Sequence, residues 1–262
     1  IKQAQELAAQ CFGSMETFFV TNGTSTSNKI AAQAICQPGD VVLIDRNCHK
    51  SHHYSMFLMG CAVVYLDAYP LEPYSMYGGV SLDTIKRVLL KFKRANQLHR
   101  VKLLLLTNCT FDGVVYNVRR VMEETLAIHP NLMFLWDEAW WAFARFCPLT
   151  RLRTAMDAAN TLRARYDSPE YRKKYIAWRR NVDLSKDETY LSEHCLPDPD
   201  KVRVRVWSTQ STHKTLSCLR QGSMIHINDQ DFHRDFGRSF LSAFFTHTST
   251  SPNVQLIATL DT

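Results

Sequence analysis

The chain has 262 residues, 45% of them hydrophobic and 21% charged, with a formal net charge of +6. That length suits one large α/β domain or two small ones, and the composition excludes a disordered or collagen-like chain. The longest purely aliphatic run, Leu103–Leu106, is far too short to span a bilayer, and no basic-then-apolar signal segment opens the sequence.

In chain order, residues 1–12 read as a helix with Ala4, Leu7, Ala8 and Cys11 on one face. Phe18–Thr21 reads as a short buried strand running into the Gly/Ser/Thr-rich stretch Asn22–Asn28, with a helix from Lys29 to Cys36 closed by Pro38-Gly39. A glycine and several hydroxyls at the mouth of a helix suit an anion, because free N–H groups, O–H groups and the positive helix end converge there. A plain Ser/Thr N-cap fits the same residues equally well. The stretch is not a P-loop, since the Gly-Lys-Ser/Thr ending is missing.

Val41–Ile44 and Ala62–Leu66 read as strands flanking a helix that ends near Met59. His49, His52 and His53 precede or open that helix, but no carboxylate or thiolate lies at ligand spacing, so a metal centre is not expected. Ser81 caps a helix to about Lys93, and Val101–Thr107 is an apolar strand of the kind a parallel sheet buries on both faces. A helix over 118–128 leads to the strand Leu132–Trp136, after which Asp137 follows at once. Ligands of open α/β sheets sit at the carboxyl ends of strands, so Asp137 is a candidate functional carboxylate, with a loop-holding or capping role as the alternative.

Residues 151–200 break the rhythm, with helical stretches but no strand. Arg151–Arg180 carries nine Lys/Arg against three Asp/Glu, which accounts for the whole net charge, while 181–200 carries six Asp/Glu against Lys186. This stretch is expected to be a charged helical insertion folded on the surface or against a neighbour. A solvated face explains its charge more simply than a nucleic-acid site.

Arg203–Trp207 and Ser223–Ile227 resume the sheet, and Lys214 stands on the polar stretch between them. An ordinary solvated lysine is one reading. A lysine desolvated enough to lose its proton and attack a carbonyl is the other. A helix over about 229–245, the polar turn Thr246–Pro252 and a last helix start complete the chain. The eight cysteines form no C-x-x-C pair and sit beside apolar runs, as expected of core thiols in a reducing, cytoplasmic setting. The alternation of strands and helices predicts an α/β fold with a mostly parallel central sheet and helices on both faces. No G-x-G-x-x-G is present.

A hydroxyl-rich phosphate cradle, a strand-end carboxylate and a reactive lysine are, in that order, the parts of a pyridoxal 5'-phosphate site. The stretches Val20–Thr26, Asp45–Lys50, Leu106–Gly113, Asp137–Trp140, Ser208–Lys214 and His247–Pro252 also resemble the large (major) domain of the bacterial ornithine/lysine/arginine decarboxylases. These are pyridoxal-phosphate enzymes of the aspartate aminotransferase fold type. The resemblance implies one cofactor-binding domain over 1–262, as part of a longer chain whose small C-terminal domain would complete the pocket.

By that resemblance Lys214 would hold the cofactor covalently and Asp137 would pair with its ring nitrogen. Thr24, Ser25 and Ser211 would bind the phosphate, with Ser249 reaching the phosphate of a partner subunit in a homodimer. His49 would stack on the ring, while Trp140 and His213 would line the substrate side, with His213 a proton donor or merely a spacer. The implied reaction is decarboxylation of a basic amino acid to its amine. Transamination or aldol cleavage on the same fold, and a catalytically silent scaffold, are the alternatives. The choice among ornithine, lysine and arginine is not legible in these residues.

Overall fold

In the computed structural model, which describes residues 1–261, the strands are β1 (Glu16–Val20), β2 (Val41–Asp45), β3 (Ala62–Leu66), β4 (Pro70–Leu71), β5 (Met76–Tyr77), β6 (Val101–Thr107), β7 (Met133–Asp137), β8 (Arg205–Gln210) and β9 (Ser223–Asp229). The helices are α1 (Lys2–Phe12), α2 (Thr24–Ile35), α3 (Lys50–Met59), α4 (Leu82–Arg94), α5 (Val118–Leu126), α6 (Pro148–Arg151), α7 (Ala155–Tyr166), α8 (Pro169–Arg179), α9 (Asp187–Ser192), α10 (Thr212–Thr215), α11 (Gly237–His247) and α12 (Val254–Asp261). Seven strands form one sheet in the order β1-β9-β8-β7-β6-β2-β3, and β4 and β5 form a separate small ribbon. Strands β3, β2, β6, β7 and β8 are mutually parallel. Only β9 runs against its neighbours, β8 and β1. The expected α/β class with a mostly parallel sheet is the one observed.

Alternation along each strand divides the core in two. Leu104, Leu106, Phe134, Trp136 and Val206 face α4, α5 and α7. Leu103, Leu105, Met133, Leu135 and Trp207 face the side of α2 and α11. Both sets are buried, which is why β6 reads as an unbroken aliphatic run. Each such side chain contributes roughly 1.5–3 kcal/mol when taken from water. Among the described residues no helix is long and apolar enough to cross a membrane, and all eight cysteines are free thiols.

Three local expectations need correction. First, α2 starts at Thr24 rather than Lys29, because Gly23, at φ +79°, turns the backbone sharply and starts the helix there. The hydroxyl residues thus form the helix's first turns. Their poor helix propensity is offset by tertiary hydrogen bonds: Thr24 and Ser27 both bond the hydroxyl of Ser223, at 2.9 and 2.8 Å. Second, the strand expected over Arg203–Trp207 runs instead from Arg205 to Gln210, so Ser208, Thr209 and Gln210 of the polar stretch belong to β8, which is buried throughout. Buried polar side chains are tolerated there because each is hydrogen-bonded.

Third, the charged stretch is not wholly a surface insertion. Helix α7 is the crossover between parallel strands β7 and β8, with Ala155, Met156, Ala158, Ala159, Leu162 and Tyr166 in the main core. Charge on its outer face hides an apolar stripe of small residues. Helix α8 is different: of its residues only Tyr171 is buried.

Candidate active site

The carboxyl ends of β1, β2, β6, β7 and β8 share one edge of the sheet, together with the start of β9. The loops leaving them enclose a cavity of about 690 Å³, within the range of small-molecule sites. Its walls include Gly23, Thr24 and Ser25 after β1, His49 after β2, Asp137 at the end of β7 and Trp140 after it, and Ser211, His213 and Lys214 after β8. Residues from four distant parts of the sequence therefore meet in one pocket. Ser249 does not join them: it is exposed, and its hydroxyl accepts from the Ser251 N–H at 3.1 Å.

Asp137 forms part of the floor. Its side chain is almost wholly buried, yet Oδ2 accepts from His52 Nε2 at 2.7 Å and from Asn28 Nδ2 at 3.3 Å, and Oδ1 accepts from the Ala139 N–H at 3.0 Å. Burial alone would raise the carboxyl's pKa, but these donors and the His52 charge outweigh it, so the pKa lies below the ordinary value. The result is an anion held at the end of a strand with its lone pairs aimed by neighbours. Asn28 is itself fixed, donating to Ser51 Oγ at 3.0 Å and accepting from Thr209 Oγ1 at 2.6 Å.

Lys214 sits on α10, a single helical turn between β8 and β9, with Nζ 4.6 Å from the centroid of the Trp140 ring. Burial lowers the amine's pKa, and the attraction of Asp137 opposes but does not cancel this. His213 donates from Nδ1 to the Gly222 carbonyl at 2.8 Å, which leaves Nε2 as its other ring nitrogen. His49 caps α3, Nδ1 accepting from the Ser51 N–H at 3.2 Å, and burial lowers its pKa against a raising pull from Asp137. Trp140 packs edge-on to Phe111, 5.9 Å between centroids.

At the opposite wall, Thr24 Oγ1 and Ser211 Oγ are 2.5 Å apart. Beside them the N–H groups of Thr24 and Ser25, the first of α2, have no preceding helical carbonyl to bond, while the Thr26 N–H bonds the Gly23 carbonyl at 2.9 Å. Gly23 has open space where a Cβ would stand. The hydroxyl of Thr107, which also lines the pocket, is buried without a partner. This donor set fits pyridoxal phosphate: hydroxyls and a helix start for the phosphate, an anion for the ring nitrogen, an amine for the aldehyde.

The sequence profile of the family described as Orn/Lys/Arg decarboxylase, major domain, matches residues 1–164 and 177–262. The chain belongs to this family. An ornithine decarboxylase of Haemophilus influenzae is 32% identical over 98% of this chain and 32% of its own length. A lysine decarboxylase of Pseudomonas aeruginosa is 33% identical over all of this chain and 30% of its own. The biodegradative arginine decarboxylase of Escherichia coli is 30% identical over 99% of this chain and 30% of its own. The chain thus spans about a third of the length of the curated relatives it matches.

Among solved structures, the constitutive lysine decarboxylase of Escherichia coli superposes with a TM-score of 0.72 at 27% identity, covering 99% of this chain and 30% of that one. A multiple substrate aminotransferase of Thermococcus profundus, at 9% identity and TM-score 0.57, shares the fold alone; it covers all of this chain and 52% of that one. The residues outside the decarboxylase-family match, 165–176, span the end of α7 and most of α8. The charged stretch is therefore family-like at 151–164 and again at 177–200, and departs from the family only over 165–176.

Sequence reasoning missed His52, Asn28 and Glu138. In the sequence His52 stands out only as one of three clustered histidines of metal-ligand type, whereas in the structure it is the residue bound to Asp137. Its signal was position: Ser51, His52, Ser55 and Met56 form the buried face of α3, so a polar residue there needs a buried partner.

Proposed function

We propose that this chain is the cofactor-binding domain of a pyridoxal-phosphate-dependent decarboxylase acting on a basic amino acid, ornithine, lysine or arginine, and releasing carbon dioxide and the corresponding amine. The observation that carries the reading is the convergence of Lys214, with its depressed amine pKa, and the buried anionic Asp137 in one pocket beside the α2 N-terminus. The names of the relatives support the substrate class.

When bound, the cofactor supplies an electron sink for the pair left on Cα as carbon dioxide departs. The chain's own residues do the remaining work. Thr24, Ser25 and Ser211 hold the phosphate with the N–H groups at the start of α2. Asp137 keeps a proton on the ring nitrogen, since a nearby anion favours the charged form. Lys214 presents its amine to the aldehyde, its partial burial favouring the unprotonated form. His49 and Trp140 confine the ring and substrate and exclude water. A protonated Lys214 Nζ or a protonated His213 Nε2 would deliver to Cα the proton that replaces the departing carbon dioxide.

Full-length protein supplied with pyridoxal phosphate is expected to release carbon dioxide from at least one of the three amino acids, with the product amine naming the substrate. Keto-acid formation in place of carbon dioxide would reassign the reaction to transamination, and failure to take up the cofactor would sink the reading. We also place the enzyme as a homodimer, with Ser249 serving the phosphate site of a partner subunit, in the cytoplasm. The exposed Tyr54, Phe57 and Leu58 on α3 and Leu241 and Phe245 on α11 leave apolar surface for such a contact. Sedimentation of the full-length protein tests the dimer.

A further inference from the structure

Asp137 is followed by a second carboxylate, Glu138, whose side chain turns away from the pocket. It is fully buried and outside the pocket lining, so it has no role in holding the cofactor. All four of its lone-pair directions are filled by donors from three separate elements. Oε1 accepts from Asn108 Nδ2 at 3.2 Å and from the Ala155 N–H at 2.8 Å. Oε2 accepts from Ser208 Oγ at 2.9 Å and from Gln210 Nε2 at 3.1 Å.

Those donors are the bases of the catalytic loops. Asn108 opens the loop after β6 that carries Cys109, Thr110 and Phe111 over the pocket, and its Oδ1 accepts from the Tyr116 N–H at 3.1 Å, closing that loop. Ser208 and Gln210 lie within the last three residues of β8, which leads through Ser211 into the turn that carries Lys214. Ala155 is the first residue of α7. One carboxylate thus ties the loop over the pocket, the lysine turn and the crossover helix to the residue adjoining Asp137.

We propose that Glu138 is a positioning residue: its carboxylate sets where Lys214 and the 108–113 loop stand relative to Asp137. This inference builds on the proposed function, with pyridoxal phosphate as the group that Lys214 and Asp137 share. The direction of the bonds continues outward. With Gln210 Nε2 committed to Glu138, Gln210 Oε1 must accept from His226 Nε2, at 3.0 Å, and His226 Nδ1 must accept from Thr17 Oγ1, at 2.8 Å. Burial pushes the Glu138 carboxyl up to about 7 against the pull of its four donors, and above that pH the ionised carboxylate fixes the amide and ring orientations of a buried row reaching β1.

Glu138→Gln keeps the shape but turns an NH2 group toward two existing donors. In the full-length apoprotein, amide hydrogen exchange is expected to rise in 108–116 and in 208–214 together, because both lose the same anchor. The pH dependence of Lys214 acylation, read on its peptide by mass spectrometry, is expected to shift upward as the amine becomes better hydrated. In the cofactor-loaded enzyme, kcat is expected to fall about tenfold to a hundredfold with KM within about threefold, the signature of misplacement rather than lost binding. Ser208→Ala, which removes one of the four bonds, should move every readout the same way by less, and it decides the matter if Glu138→Gln does not fold. Leu162→Ala serves as the control that lowers stability without touching the carboxylate. If both loops keep wild-type exchange and Lys214 keeps its wild-type pH profile in the two variants, or if Leu162→Ala shifts that profile equally, Glu138 is only a structural residue. The apoprotein measurements hold whether or not the wild-type protein takes up the cofactor, so failure of the functional reading is seen separately.

Discussion

His52 Nε2 lies 2.7 Å from Asp137 Oδ2, with both side chains shut off from solvent. The contact joins the first turn of α3 to the end of β7, elements separated by more than seventy residues. It is the strongest of the influences that keep Asp137 ionised against its burial. A hydrogen bond to a charged group contributes about 1.5–3 kcal/mol, so its removal takes away the largest single support of the anion.

His52→Phe fills the space and removes the donor. Affinity for pyridoxal phosphate should fall roughly tenfold to a hundredfold, following that loss of about 1.5–3 kcal/mol. Fluorescence titration of full-length apoprotein measures it. Unchanged affinity would mean that Asn28 and the Ala139 N–H suffice to hold the charge.

Lys214→Ala tests the anchor directly. Borohydride reduction of the cofactor-loaded wild type should leave the cofactor's mass on the peptide containing Lys214. The variant should carry none on any peptide, and its visible absorbance should disappear on dialysis. A cofactor trapped on another lysine would move the covalent role elsewhere in the chain.

How far the sequence foretold these features depended on whether a feature is local. Strand β6 was legible because four consecutive leucines admit few environments other than a sheet covered on both sides. Lys214, Asp137 and Thr24 were legible because each stands at a strand end beside residues of matching chemistry, and six short motifs carried the family resemblance. The Asp137–His52 pair was not, since nothing within five residues of His52 indicates a carboxylate from another strand. Helix α7 was misread for a different reason. Its buried face is largely alanine, while arginines on the outer face dominate the composition, so polarity outweighed period.

That misreading can be checked through stability. Leu162 is fully buried between α7 and the sheet, and Leu162→Ala should cost about 2–5 kcal/mol in chemical denaturation of the full-length protein. Lys174 on α8 is exposed, and Lys174→Ala should change stability by no more than about 0.5 kcal/mol. Equal effects at the two sites would contradict the division between core crossover and surface helix.

His226, buried in β9 and stacked 4.4 Å from Phe12, gives the chain a built-in acid sensitivity. Burial depresses its pKa to about 3 from the ordinary 6.5. The folded protein therefore keeps His226 neutral, while the unfolded chain binds a proton below about pH 6.5. Between these two values the unfolded state holds the extra proton, so stability rises with pH across the window and is lost as pH falls from about 6.5 toward 3. One group shifted this far accounts for a loss on the order of 4–5 kcal/mol over that range. Urea denaturation at stepped pH should show the slope, and His226→Gln, which keeps a polar side chain but cannot take up this proton, should flatten it. A slope as steep in His226→Gln as in the wild type would assign the acid sensitivity to other groups.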